Sequence, residues 1–343
     1  MFLSVENINT LLSNKFISEN EYRQRFKIKP RYLDVFMTRI GTIGKTNVIT
    51  THKPIAYYVS LALLRPQNIQ SFFLSFIIQT SKVQQDIWKR TLQIAFPQKI
   101  NKDEIGKVTL AVPLQKEQID IEKLLLKLDK LVTLQQRKLE QLKQLKKAML
   151  QQLFVDKNNK QPILKFKNFR NNWREYKLGE IVNLEDNKRK PVKATERMRG
   201  EIPYYGANGI QDYVKGYTHI GKHVLIAEDG ANSVDDYPIY FISSPSWINN
   251  HTHVLTAKQE ILSSEFLSYA LKKINYAKYL VGSGRYKLNA EILKLIPLQI
   301  PTMNEQKNIE INLSKIDKLI SLQQNKLTQL TTLKKYLLQK MFI

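Results

Sequence analysis

Apolar residues recur at alternating spacings of three and four along two stretches of the chain. In the first they fall at Leu125, Leu128, Val132, Leu139, Leu142, Met149 and Leu153, with Gln135 and Lys146 at the two intervening polar steps. In the second they fall at Leu313, Ile316, Ile320, Leu327, Leu330, Leu337 and Met341, with Gln323 and Lys334 at the matching steps. This is the heptad pattern of a helix that buries one stripe against another helix. The two stretches are copies of one another. Residues 112–154 and 300–342 align at a constant offset of 188 with no gap, and 23 of 43 positions are identical. An identity that high at one register marks an internal repeat. Each copy predicts a helix of about 40 residues and roughly 60 Å. Such a helix is not stable alone in water, and its natural partner is the other copy.

The expected coiled-coil interface is Leu128, Val132, Gln135, Leu139 and Leu142 in the first helix and Ile316, Ile320, Gln323, Leu327 and Leu330 in the second. A polar residue in such a seam either fixes register or lies at the edge of the stripe with its long side chain reaching water. Leu131, Leu134, Leu145 and Leu150 widen the stripe, so further protein is expected to pack there. Pro113 and Pro301 precede the two helices, and Thr302 with Glu305 has the spacing of a capping box. The first copy has Leu114 in place of Thr302 and lacks the box.

Between the helices the pattern is shorter and mixed. Phe36–Val48 reads as strand, turn, strand, and Ser71–Trp88 has helical spacing. Residues 155–167 are a polar link. Trp173–Leu184 reads as an anchoring aromatic with a short amphipathic element. Ile202–Val214 is glycine-turned and aromatic, Lys222–Gly230 and Trp247–Leu255 read as strands, and Ile261–Leu280 as a helix. The fold class is therefore α+β: two mixed α/β domains separated by two long helices that pair as an antiparallel coiled coil. The expected division is 1–111, first domain; 112–154, first helix; 155–299, second domain; 300–343, second helix.

Charge changes this picture. Of the net +24, +9 lies in residues 1–111, +7 in 155–299 and +4 in each helix. Two separately basic domains point to a polyanion, nucleic acid before others, although a Lys-, Asn- and Ile-rich composition also raises lysine content by itself. Cysteine is absent, which excludes thiolate metal sites, disulfides and a cysteine nucleophile. No apolar run reaches the ~18 residues that span a bilayer, and no signal-peptide pattern opens the chain. A cytoplasmic location is expected.

Gly41–Thr46 (GTIGKT) resembles part of a phosphate loop but fails its test. Arg39 stands where the first glycine is required, and a strand-like run stopped by Pro54 follows in place of a helix. A tight turn that exposes Arg39, Thr42 and Lys45 is the better reading. In the second domain the glycine turns are expected to push out Tyr204, Tyr205, Asn208, Arg285 and Lys287. These eight residues are the expected DNA contacts, since their groups suit phosphates and base edges. His251 and His253 share one strand face without a clear third metal ligand, and Glu228, Asp229, Asp235 and Asp236 suit turns. No metal site and no catalytic constellation are expected.

The layout of domain, repeated helix, domain, repeated helix is similar to the specificity subunits of type I restriction–modification systems. So are WREYKLGEIV, IPYYGANGI, VLIAEDGAN and the helical series EQ, DKLV or DKLI, LQQ, KL, LKK and F. The resemblance implies two target recognition domains, each reading half of a bipartite site in double-stranded DNA. It implies helices that space the domains and dock modification (methyltransferase) subunits. It also implies no catalysis by this chain: S-adenosylmethionine is used on the modification subunits, and ATP and Mg2+ on the restriction (endonuclease/translocase) subunit. A helical ruler further implies that four residues inserted around 150–158 lengthen the spacer. The alternative is a coiled-coil scaffold that binds a protein partner and no DNA. One departure stands out. Trp173 lies 127 residues before Ile300, and the same distance before Val112 falls upstream of Met1. The first domain is therefore expected to lack its opening element.

Overall fold

The computed structural model describes residues 1–156, 159–169, 171–282 and 286–342. Both repeats are continuous helices, Gln115–Gln152 and Met303–Lys340, each of 38 residues. The chain divides into two compact units, residues 1–138 with 323–343, and residues 139–322. The division cuts both helices. Each unit holds one mixed α/β domain, the start of the helix that follows it and the end of the other helix.

In the first unit a three-stranded antiparallel sheet has Val35–Thr38 at its centre, between Thr46–Val48 and Leu61–Leu64. The central strand is buried throughout, so its run reads apolar without alternation. Ser71–Trp88 is two helices, Ser71–Ile78 and Ser81–Lys89, because Thr80 takes extended backbone between them. The first of these is apolar on nearly every side and sits in the core with Val35, Met37, Ile121, Leu125 and Leu338.

In the second unit the order across the main sheet is Ile239–Ile242, His223–Ala227, Thr252–Ala257, Val182–Leu184, all antiparallel. A smaller sheet holds Trp247–Ile248, Arg199–Gly206 and Gly209–Val214. The expected single strand Trp247–Leu255 is thus two strands in two sheets. They are split at residues 249–251, where Asn249 Oδ1 accepts from the His251 N–H. The expected helix over Ile261–Leu280 is shorter, Ser264–Leu271. The chain then turns at Asn275, whose side chain accepts from Ala277 N–H and starts a single 3-10 turn. Trp173–Leu184 resolves into strand Arg174–Lys177, one helical turn Leu178–Ile181 and strand Val182–Leu184.

Within each unit the helix segments run antiparallel, and the identical residues of the repeat make the same contacts with roles exchanged. In the first unit Asp129 of the first helix is salt-bridged to Lys334 of the second. In the second unit Asp317 of the second helix is salt-bridged to Lys146 of the first, 2.5 Å. Lys334 lies over Phe76, 5.7 Å from the ring centre, and Lys146 over Tyr269, 5.8 Å. Gln70 N–H donates to Gln118 Oε1 at 3.0 Å, and Ser263 N–H to Gln306 Oε1 at 2.9 Å. Phe342 packs on Phe73 with centroids 5.1 Å apart, and Phe154 on Phe266 at 5.3 Å. Gln323 donates to both the side-chain and the backbone oxygen of Gln135, and both glutamines are buried. They are therefore bonded to each other and are not at the wet edge of the stripe. Leu128, Leu139 and Ile316 are also buried; Val132, Leu142, Ile320, Leu327 and Leu330 are half-buried.

Leu153 and Phe154, inside the span chosen for the ruler insertion, are 1% and 4% exposed in the core of the second unit. Residues added upstream of them would displace these core side chains.

Candidate nucleic-acid interface

The first candidate surface is the hairpin loop between Val35–Thr38 and Thr46–Val48. Gly41 and Gly44 have φ of 78° and 84°, a backbone region that favours glycine. Gln84 closes the loop from below: its amide donates to Gly44 O at 3.0 Å, and a Cβ on Gly44 would lie 2.7 Å from that amide. The loop leads into a strand and forms no phosphate cradle. Thr42 and Lys45 project outward and are exposed. Arg39 does not follow the expectation. Its guanidinium turns inward, with Nε donating to Ile100 O at 3.1 Å and Nη1 to Val59 O at 3.4 Å.

The second surface is on the small sheet of the second unit. Tyr204 is also a correction, because it is 1% exposed. Strand pairing brings its ring under the Arg197 guanidinium, 4.1 Å from the centroid, and beside Trp247. Its hydroxyl accepts from Val192 N–H at 3.1 Å. Tyr205 is half-buried against Tyr240, and desolvation raises its hydroxyl pKa above the ordinary value. Asn208 lies at the surface, but its amide is committed to loop bracing. It donates to Gly230 O and accepts from Asn232 N–H, both at 2.9 Å. Arg285 lies outside the described residues. Lys287 is exposed and lies 3.6 Å from Glu228.

The end of the same sheet where Arg199 pairs with Val214 carries residues that the strand pattern alone did not single out. Arg199, Tyr213, Lys215 and Tyr217 are all exposed there. Arg197, Arg199, Gly200, Asp212 and Tyr213 line a cleft of about 520 Å3. Cations interleaved with aromatic faces are the usual equipment for phosphates and bases. The signal was available in RMRGEIPYYG, where Arg197, Arg199 and Glu201 alternate, and in DYVKGY, where Tyr213, Lys215 and Tyr217 alternate.

Asp186, Glu228 and His253 bring three potential metal ligands together. Their charge is already balanced by protein cations: Arg189 lies 2.6 Å from Glu228 and 3.4 Å from Asp186, and Lys287 also faces Glu228. His253 Nδ1 faces Asp186 at 2.6 Å and Nε2 faces Leu288 O at 2.8 Å. Burial works to raise the Asp186 pKa, but bonds from His253 and Val254 N–H and the nearby Arg189 charge hold it below the usual value.

His219 gives a pH prediction. Burial lowers its pKa, partly opposed by a hydrogen bond with Glu185 O, while His223 and Lys188 repel its charge. The folded unit thus prefers the neutral ring, and the unfolded chain protonates near pH 6.5. Stability is fully present above that pH and declines as pH falls below it. Thermal melts between pH 7.5 and 5 should show this decline, and His219→Gln should flatten it. Equal slopes for the two proteins would exclude His219 as the source.

Residues 170–332 match the family model for the type I restriction modification DNA specificity domain. A putative type I restriction enzyme specificity subunit of Haemophilus influenzae is 47% identical over 132 residues, which are 38% of this chain and 34% of that protein. A putative type I specificity subunit of Methanocaldococcus jannaschii is 25% identical over 337 residues, 88% of this chain and 76% of its own. The S subunit of a type I restriction–modification system from M. genitalium superposes with a TM-score of 0.69 at 19% identity, over 92% of this chain and 84% of that one. These comparisons make the chain similar to type I specificity subunits. Its match to the first two curated relatives spans only 34% and 42% of their lengths. A chain from another type I system gives a TM-score of 0.56 at 15% identity, which again speaks for the fold. Among the described residues no helix is long and apolar enough to cross a membrane.

Proposed function

We propose that the chain is the DNA-reading, non-catalytic subunit of a type I restriction–modification complex, each domain reading one half of a bipartite site. The match of residues 170–332 to a DNA specificity domain carries this reading. The exposed Lys45 and Thr42 in one unit and the Arg199–Tyr213 edge in the other supply surfaces of the right chemistry. Docking of modification subunits on the helices is supported by the leucines that pairing leaves uncovered. Leu131, Leu134 and Leu145 stay 45–58% exposed, and so do their repeat equivalents Leu319, Leu322 and Leu333 at 46–65%. Under this proposal S-adenosylmethionine belongs to the modification subunits, ATP and Mg2+ to the restriction subunit, and the complex works in the cytoplasm.

A protein scaffold without DNA would bind duplex DNA weakly and nonspecifically at most. Anisotropy titrations of labelled duplex DNA at several salt concentrations separate the two. Affinity is expected to fall steeply with salt. Lys45→Ala should weaken binding across sequences and reduce the slope by about 1, the signature of one lost phosphate contact. An unchanged slope would remove Lys45 from the interface, and equal affinity for every duplex sequence at physiological salt would favour the scaffold.

A further inference from the structure

In the first unit the segment from Leu92 to Lys99 is a loop closed at its base. Leu92 N–H donates to Lys99 O at 2.8 Å, and the two residues form an antiparallel bridge. The loop is tied to the glycine hairpin that carries Thr42 and Lys45. Gly41 N–H donates to Gln98 O at 2.9 Å, Ile100 N–H donates to Arg39 O at 3.0 Å, and Lys99 is bridged to Ile40. These main-chain bonds set the loop beside the hairpin turn. The tip of the loop reads Ile94, Ala95, Phe96. Isoleucine and phenylalanine are among the residues most often buried, yet both are fully exposed here. Leu92 at the base is exposed as well, and so are the flanking cations Lys45 and Lys99.

The second unit builds the same base. Gly230 N–H donates to Tyr286 O at 3.3 Å, Leu288 N–H donates to Glu228 O at 2.7 Å, and Lys287 is bridged to Asp229 and to Val281. Its tip differs in sequence: Gly282, Ser283, Gly284, Arg285, of which the last three lie outside the described residues. Strand Arg174–Lys177 pairs at Pro297–Ile300 and leaves Val281, at the base of this loop, 49% exposed. One kind of base thus carries a small polar tip in one unit and a large apolar tip in the other.

We propose that Ile94 and Phe96 form an apolar wedge that enters a groove of duplex DNA and unstacks one base step. The proposal rests on the DNA-reading function proposed above. Lysines on either side hold phosphates, and the apolar tip replaces base stacking at the opened step. Unstacking costs free energy, and the kinked duplex offsets it by wrapping more of the protein surface. A protein-docking patch is broad and apolar with a polar rim. Two side chains at the point of a closed loop, between cations, match the gap between base pairs instead.

The test uses the full chain. Duplexes that it binds are enriched from a randomised pool. 2-Aminopurine, whose fluorescence rises on unstacking, is then placed at each position of an enriched duplex in turn. A rise at one step is expected with the unaltered chain and none with the double variant Ile94→Ser/Phe96→Ser. The melting temperature should not change, because both side chains lie in solvent. The double variant should bind about tenfold or more weakly, as for loss of an aromatic stacked on a base. The slope of log affinity against log salt should stay the same, since no phosphate contact is lost. No rise with the unaltered chain, a rise that persists in the double variant, affinity within about twofold, or a reduced slope would each overturn the wedge and leave the DNA reading standing. Failure to enrich any duplex would overturn both. Self-association that the double variant abolishes, with DNA affinity unchanged, would make the tip a contact between copies and overturn the wedge.

Discussion

Replacing Phe154 by alanine is expected to destabilise the second unit by about 3–5 kcal/mol, the range for a buried aromatic truncated to a methyl. Phe154 follows the last turn of the first long helix, yet it is 4% exposed in the core of the second domain between Trp173 and Phe266. The Trp173 indole is held by its bond to Glu305, so it cannot swing into the space that Phe154 leaves. For a unit of this size the loss should lower the melting temperature on the order of 10 °C. Phe342→Ala, the equivalent change in the first unit, should cost less, because Phe342 is only half-buried. Calorimetry of both variants checks the ranking. Equal losses would mean that Trp173 adds little to the packing around Phe154.

Gln306→Ala should be the next most damaging change. The side chain is 0% exposed and makes three hydrogen bonds: Oε1 accepts from Ser263 N–H at 2.9 Å, and Nε2 donates to Ile261 O at 2.8 Å and Pro301 O at 3.0 Å. Alanine leaves one backbone donor and two carbonyls without those partners in a site closed to water. The expected cost is about 2–4 kcal/mol, since each buried orphan costs roughly 1–3 and relaxation recovers part. Gln118→Ala removes the bonds to Gln70 N–H and Pro113 O and should cost somewhat less. Denaturant titration followed by tryptophan fluorescence would report mainly the second unit, where Trp173 and Trp247 lie. A loss below ~1 kcal/mol at Gln306 would show that water or neighbouring groups satisfy the orphans.

The helices were legible because a period and a repeat are local signals, and the antiparallel pairing followed from them. Gln118 and Glu122 in one copy, and Gln306 and Glu310 in the other, are ordinary polar positions when only the period is considered. Their partners belong to a domain dozens of residues away: Gln70 and Phe73 for the first pair, Ser263 for the second. The same limit explains the candidate contacts. Thr42 and Lys45 are exposed as a two-glycine hairpin turn implies, because the turn decides their direction. Tyr204 and Arg39 depend on more than their own strands, since a bulge between Tyr204 and Tyr205 and a loop carbonyl at Ile100 decide where they point. Neither is visible in a single strand's alternation. The glutamate in the T-x-x-E spacing shows the converse: Glu305 turns its carboxylate to an indole 132 positions away.

The exchanged ion pairs carry a consequence for how such a chain can change in length. Asp129 meets Lys334 and Asp317 meets Lys146, so each helix presents one end of both bonds. A residue gained between Asp129 and Lys146 alone moves one partner by ~1.5 Å and turns it by about 100°. One unit keeps its contacts while the other loses Lys146, Phe154 or both from their seats. The same gain in both helices at matching positions moves every partner together. Two helices of equal length, 38 residues each, keep both exchanged pairs in register at once.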